Sequence, residues 1–202
     1  MENEISRPLA SEIASSAALK GLRTAGAILT GSALVAVCSH VALPLWFTPV
    51  PLTLQPFAVL LLGLLLGPRL AAATLGAYLL EGAAGLPVFA PGLALGGGIV
   101  HLLGPTGGYL MAYPAAAALI ALLRRRISRG FTGALLSAAA GDALILLCGM
   151  AWLALWTHGA GSQGLGKSAF ALAVLPFLPG DALKVVAAAA IARGLNRVRR
   201  DR

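Results

Sequence analysis

The sequence predicts an all-α integral membrane protein with about six transmembrane helices. Hydrophobic residues make up 58% of its 202 residues, charged residues make up only 11%, and the mean hydropathy is +0.87. An ordinary soluble domain is about 25% charged. A chain this apolar cannot cover a surface that faces water, so it needs lipid as its solvent. The 25 glycines fit this class, because small residues let helices approach closely in a membrane.

Six segments come near the roughly 20 mostly apolar residues that a spanning helix needs. The first is closed by Pro44, and the second is short and ends in a tight turn at Pro68. The sixth is interrupted by Pro176 and Pro179. In chain order, the predicted helices cover residues 24–46, 56–67, 70–85, 106–123, 131–157 and 170–193.

Lys and Arg are distributed unevenly between the connecting segments. Thirteen of the fifteen precede the first helix, follow the sixth, or lie in the second–third and fourth–fifth connections. The alternate connections contain only Lys167, and Lys184 lies inside the sixth helix. Basic residues favour the cytoplasmic side, so both termini are predicted to be cytoplasmic in a bacterial inner membrane. The same clustering argues that the net charge of +8 is an orientation signal and not a nucleic-acid surface.

These boundaries divide the chain into a cytoplasmic N-terminal segment (1–22), a six-helix transmembrane domain (23–195) and a basic cytoplasmic tail (196–202). Two outer connections, 47–55 and 86–105, are nearly uncharged and rich in Pro and Gly. Irregular backbone at membrane depth is tolerated where it is buried in protein or lines a cavity. We therefore expect 86–105 to fold back over the helices as a re-entrant or lid-like loop; the alternative is a partly helical hairpin that only packs.

Asp181 and Lys184 are the leading candidates for a binding site. Ionisable residues inside apolar segments are costly and are functional candidates by default. At a spacing of three these two share one helix face, where they can neutralise each other and offer both an acceptor and a donor to a polar ligand. The alternative is a purely structural buried ion pair. The other ionisable residues in apolar segments are His40, Glu81, His101 and Asp142.

Glu81 and Asp142 are equally compatible with structural and functional roles, whereas His40 and His101 are interpreted as packing residues. The sequence has no paired-His spacing, so no metal or other cofactor is predicted. Cys38 and Cys148 are interpreted as free thiols.

Three further residues complete the candidate site. Gln55 lies in the first Pro-rich outer loop, and Thr106 and Tyr109 lie where the fourth helix opens. A helix N-terminus presents free N–H groups and a positive dipole end, which suits a carboxylate; a plain helix cap is the alternative.

Several short motifs together resemble a known family. The segment 49–55 reads PVPLTLQ and is similar to the Pro-Val-Pro-x-Thr-x-Gln signature of BioY proteins, the biotin-specific S components of energy-coupling-factor transporters. Segments 67–69 (GPR), 85–90 (GLPVFA) and 104–109 (GPTGGY) continue the resemblance in order. Residues 180–184 match the late Gly-Asp-x-x-Lys element. The resemblance covers about residues 30–195.

The resemblance implies a six-helix S-component bundle that holds biotin near its outer face, with Asp181 and Lys184 as polar contacts and outer loops that close over the vitamin. It implies three partner subunits, a transmembrane coupling (T) protein and two cytoplasmic ATPases, and release by tilting of the whole subunit in the bilayer. The chain has no Walker motif, so it cannot itself hydrolyse ATP. An S component for a different vitamin is one alternative. An intramembrane lipid-modifying enzyme is another, but it needs a base–nucleophile constellation or clustered carboxylates that the sequence does not show.

Overall fold

The structure is a computed structural model that describes residues 6–91, 97–127, 130–159 and 166–198. The connection between the fifth and sixth predicted helices lies largely outside these residues, as do positions 1–5 of the predicted N-terminal segment and 199–202 of the predicted tail. The described residues are mostly helical and form a membrane-protein bundle with one two-stranded hairpin. The elements are α1 (Ser6–His40), β1 (Ala42–Leu43), β2 (Leu52–Thr53), α2 (Gln55–Leu65), α3 (Pro68–Ala83), α4 (Ile99–Leu102), α5 (Gly107–Arg126), α6 (Phe131–Gly159), α7 (Gly166–Ala173) and α8 (Leu178–Val198).

Five of the six predicted segments correspond to one helix each, with differences at the ends, and the sixth corresponds to α7 and α8. The first helix stops at His40 instead of continuing to 46, because Pro44 cannot extend it and the following residues pair as the hairpin β1–β2. The predicted interruption of the sixth segment separates α7 from α8, and Pro179 lies in the first turn of α8, where a proline is tolerated. In the described part of the chain, three helices are individually long and apolar enough to cross a membrane: Ser16–His40, Gly107–Arg126 and Phe131–Thr157.

The helices alternate in direction, which separates the two ends of the bundle. At one end the Arg125 guanidinium lies beside Gly67, and Phe131 shares a groove with Arg193 and Arg197 of α8. The basic connections between α2 and α3 and between α5 and α6 therefore meet the C-terminal end of α8. The hairpin, the 86–105 loop and the start of α8 lie at the opposite end.

Small residues set the distances between the helices. Gly63 of α2 lies against Ile120 and Ala117 of α5, where a larger side chain would collide with both. Gly31 of α1 similarly lies against Thr74 of α3. Because hydrophobic residues gain little from leaving lipid, close packing of this kind holds the bundle together.

Candidate ligand-binding site

A cavity opens at the end of the bundle that carries the hairpin and the 86–105 loop. The space between atoms there, counted outward into the open solvent at its mouth, is about 520 Å³. All five residues predicted from the sequence line it: Gln55, Thr106, Tyr109, Asp181 and Lys184. The remaining walls are mainly apolar and include Val50, Leu110, Ile145, Leu146 and Phe177. A mostly apolar pocket with a few convergent polar groups is the usual form of a small-molecule site.

Asp181 and Lys184 form a buried ion pair on the wall of this cavity. Lys184 Nζ donates to Asp181 Oδ1 over 2.7 Å, and the two side chains are 9% and 5% exposed. The pair lies in the first turns of α8, where the break after α7 brings the chain back to the cavity. An ammonium has three N–H donors and a carboxylate has two oxygens, so the pair keeps both donor and acceptor capacity for a ligand.

Gln55 belongs to a hydrogen-bond chain that joins the cavity to the 86–105 loop. Its Oε1 accepts from the Thr53 hydroxyl over 3.2 Å, and its Nε2 donates to the Tyr78 hydroxyl. Tyr78 in turn donates to the Val88 carbonyl over 2.9 Å, and the Ser39 hydroxyl lies 2.7 Å from the same carbonyl oxygen. The side chain of Gln55 is thus held in place by its neighbours, with one amide N–H still available to a ligand.

The two candidates at the start of α5 differ in how their hydroxyls are used. Tyr109 donates to the Ala173 carbonyl over 2.7 Å, so it contributes its ring to the cavity while its hydroxyl ties α5 to α7. The Thr106 hydroxyl is buried and has no hydrogen-bond partner among the described residues. Thr106 is the N-cap residue of α5 but makes no side-chain capping bond there, which argues against the plain-cap alternative.

His101 is a cavity residue that the sequence reasoning assigned only to packing. Its side chain is buried and does pack, since it stacks on Phe89 with a centroid distance of 4.9 Å, but it also lines the cavity. Phe89 packs edge-on against Tyr78 at 5.5 Å, and Ala90 beside it lines the cavity too. The described parts of the 86–105 loop therefore contribute to the cavity wall, and they include the helical turn α4; closure of the loop over a ligand stays a prediction. The sequence did contain a signal for His101, because an ionisable residue lies there in the apolar stretch of the loop.

The other ionisable candidates are not among the residues that line the cavity. Glu81 bonds across the bundle, since Ser32 Oγ of α1 lies 3.0 Å from its Oε1. Asp142 of α6 is buried, and its Oδ1 has no hydrogen-bond partner in the described part of the chain. His40 is exposed and contacts its own helix at the Ala36 carbonyl.

Cys38 and Cys148 are free thiols, as predicted; Cys38 is buried and Cys148 is half-buried. Among the described residues, no group of three or more His, Cys, Asp or Glu could hold a metal ion.

Comparisons with known proteins agree on one family. The model of the BioY family matches residues 10–201. The chain is 43% identical over 148 residues to the probable biotin transporter BioY of Pyrococcus horikoshii, covering 73% of this chain and 82% of the relative. It is 36% identical over 171 residues to the biotin transporter BioY of Thermotoga maritima, covering 85% and 94%.

A solved structure extends the agreement to three dimensions. The crystal structure of the S-component for biotin from an ECF-type ABC transporter matches with a TM-score of 0.77 at 28% identity, covering 88% of this chain and 93% of that chain. The motifs, the helix order and the family match over almost the whole length therefore lead to one assignment: this chain belongs to the BioY family.

Proposed function

We propose that this protein captures biotin at the membrane as the substrate-binding subunit of an ATP-driven vitamin transporter. The observation that carries the proposal is the single cavity that gathers all five predicted ligand contacts in a chain of the BioY family. Relatives in this family are named as biotin transporters, and the matching solved structure is an S-component for biotin. These similarities favour binding and uptake over an enzymatic role.

The chemistry of the cavity fits biotin group by group. The ureido ring has two N–H donors and one carbonyl acceptor, and the thioether ring and alkyl chain are apolar. Asp181 can accept from a ureido N–H, and Lys184 and Gln55 can donate to the carbonyl. The apolar walls suit the ring and chain. We assign Asp181, Lys184, Gln55, Thr106 and Tyr109 as substrate-binding residues on this basis.

An S component requires partners that supply energy. We infer a transmembrane coupling subunit and two cytoplasmic ATPases, because the matching structure is part of an ECF-type ABC transporter. The concentration of Arg at the bundle end away from the cavity supports a bacterial inner-membrane location with that end, and both termini, in the cytoplasm. The cavity then faces the outside, where biotin is collected.

Equilibrium binding tests the proposal directly. Purified protein in nanodiscs should bind biotin saturably and tightly, while thiamine, riboflavin and a phospholipid substrate should not compete. Displacement of biotin by thiamine or riboflavin at similar concentrations would transfer the assignment to an S component for another vitamin. Cells that also express the coupling and ATPase subunits should accumulate labelled biotin, and an inactive ATPase should abolish this accumulation.

Closure of the 86–105 loop over the ligand can be tested separately by hydrogen exchange. Ala90 and His101 line the cavity from the 86–105 loop, so a bound ligand adds contacts to that loop. Hydrogen exchange of its backbone amides should therefore slow at saturating biotin, whereas exchange at the C-terminal end of α5, at the opposite end of the bundle, should not change. Equal exchange with and without biotin would leave the loop a passive connector.

A further inference from the structure

Asp142 is a buried acid that the proposed binding site does not use. It lies in the middle of the long apolar helix α6, is only 7% exposed, and its Oδ1 has no hydrogen-bond partner in the described part of the chain. An ionisable group inside a membrane is costly, and a buried polar atom without a partner adds to that cost. An acid kept at such a cost in the empty protein calls for a role in another state of the protein.

Asp142 lies one helical turn below the cavity wall. Ile145 and Leu146 follow it on α6 at spacings of three and four, and both line the cavity. Residues at these spacings lie on the same face of a helix. The Asp142 side chain is therefore on the face of α6 that points toward the cavity, but deeper in the bundle.

Lys184 reaches a similar depth from α8. Its neighbour Val185 packs in the same apolar cluster as Ala138, which precedes Asp142 by one turn on α6. As a carboxylate, Asp142 is within range of both members of the ion pair: the Lys184 ammonium attracts it and the Asp181 carboxylate repels it. Two acids on different helices thus lie within electrostatic range of one ammonium.

We infer that Asp142 is a positioning residue for the ligand: when biotin occupies the Asp181 carboxylate, Lys184 bonds to Asp142 as a second acceptor. The inference rests on the proposed function, in which ureido N–H groups donate to Asp181. In the empty protein Lys184 Nζ already holds Asp181 Oδ1 at 2.7 Å, so a ligand that takes over this oxygen weakens the ion pair.

The second acceptor offsets the cost of that change. A buried ammonium that loses its acceptor is destabilised unless another acceptor is within reach. Lysine suits an exchange of partners, because its flexible four-carbon stem carries three N–H donors. Lys184 can therefore donate to Asp142 and still keep an N–H for the ligand.

Asp142→Asn tests the inference, because it removes the acid and keeps the size of the side chain. The variant should unfold at the same temperature as the wild type or higher, since the Oδ1 that it alters has no partner in the empty protein. Its affinity for biotin should nevertheless fall about tenfold, the loss expected for one hydrogen bond to a charged group. A purely structural acid predicts the opposite, a lower unfolding temperature with near-native affinity.

The loss of affinity should depend on Lys184. In protein that carries Lys184→Met, adding Asp142→Asn should change biotin affinity by less than about twofold, because no ammonium is left to position. Glu81→Gln is the matched control, since it makes the same acid-to-amide change at a residue that bonds to Ser32 and does not line the cavity. It should keep biotin affinity within about twofold of the wild type, with Lys184 present or replaced.

Infrared spectroscopy observes the exchange of partners itself. The difference spectrum between biotin-bound and empty protein, measured with and without isotope-labelled aspartate, identifies the aspartate carboxyl groups that change on binding. One of these bands should disappear in Asp142→Asn and remain in Glu81→Gln.

The inference is overturned if Asp142→Asn binds biotin like the wild type, or if it weakens binding by the same factor with and without Lys184. A lower unfolding temperature or a failure to fold would also overturn it, because Asp142 would then be structural. So would difference spectra that are the same in Asp142→Asn and the wild type. In each of these outcomes the wild type still binds biotin and the proposed function stands, whereas absence of binding by the wild type would contradict the proposed function itself.

Discussion

Replacing Asp181 by Asn, or Lys184 by Met, is expected to weaken biotin binding without unfolding the protein. Asp181 as a carboxylate can accept from the ureido N–H groups, and Lys184 can donate to the ligand while keeping Asp181 ionised. Their 2.7 Å contact and their low exposure mean that each variant changes a group in the cavity wall and not a solvated side chain.

The two interpretations of the pair predict losses of different kinds. A lost hydrogen bond to a charged group costs about 1.5–3 kcal/mol, which is roughly a ten- to hundredfold loss of affinity. If the pair is structural, removing one partner leaves a buried charge without compensation. The variant should then lose about 3–5 kcal/mol of folding stability. Any weaker binding of biotin would follow from that lost stability.

The double variant, Asp181→Asn with Lys184→Met, decides between them. It removes both charges, so a structural pair should recover stability and keep near-native affinity. A ligand-binding pair should give a double variant that folds yet binds biotin no better than either single variant. Calorimetric titration beside a thermal unfolding curve measures both quantities, and near-native biotin affinity in the double variant would refute the assignment of the site.

Three further predictions concern the lid, the orientation and the packing. Tyr78→Phe removes the hydroxyl that joins Gln55 to the loop, so biotin should dissociate several-fold faster, with association changed less; an unaltered dissociation rate would exclude coupling through this hydroxyl. With the native cysteines replaced, an impermeant thiol reagent should label a cysteine at Trp46 but not one at Gly130 in intact cells, and the reverse pattern would invert the orientation. Gly108→Ala should lower stability by about 1–3 kcal/mol because the Cβ meets Trp152, whereas the control Gly76→Ala has free space in α3 and should be neutral or slightly stabilising; similar melting temperatures would count against this packing.

Much of the fold could be read from local features. Hydropathy and the proline positions gave six segments, of which five became one helix each and the sixth became α7 and α8. The sites of Pro44 and Pro179 explain where α1 ends and where α8 starts. The contact between Asp181 and Lys184 was predictable because residues three apart on one helix are neighbours whatever surrounds them. The motif at 49–55 also drew attention to Gln55 without any knowledge of its partners.

Which residues of different helices meet could not be obtained in the same way. In a soluble helix the polar face marks the outside, but in lipid both the buried and the outward positions are apolar, so periodicity does not reveal which way a helix is turned. Nothing in the sequence distinguished Glu81, which bonds to Ser32, from Asp142, which keeps an oxygen without a partner among the described residues. Tyr78 was not recognised at all, because its importance comes only from the hydroxyl's two neighbours.

The sequence by itself determined that this chain is an integral membrane protein and that its helices alternate in direction. It also determined which two neighbouring residues carry opposite charges on one helix face. These properties depend on composition and on neighbours within a single turn. The tertiary structure decided that Gln55, Thr106 and His101 share one cavity with that pair. These residues converge only if each helix has the right rotation about its axis and the right depth in the bundle. Close packing between residues far apart in the chain, such as Gly63 against Ile120, determines that rotation and depth.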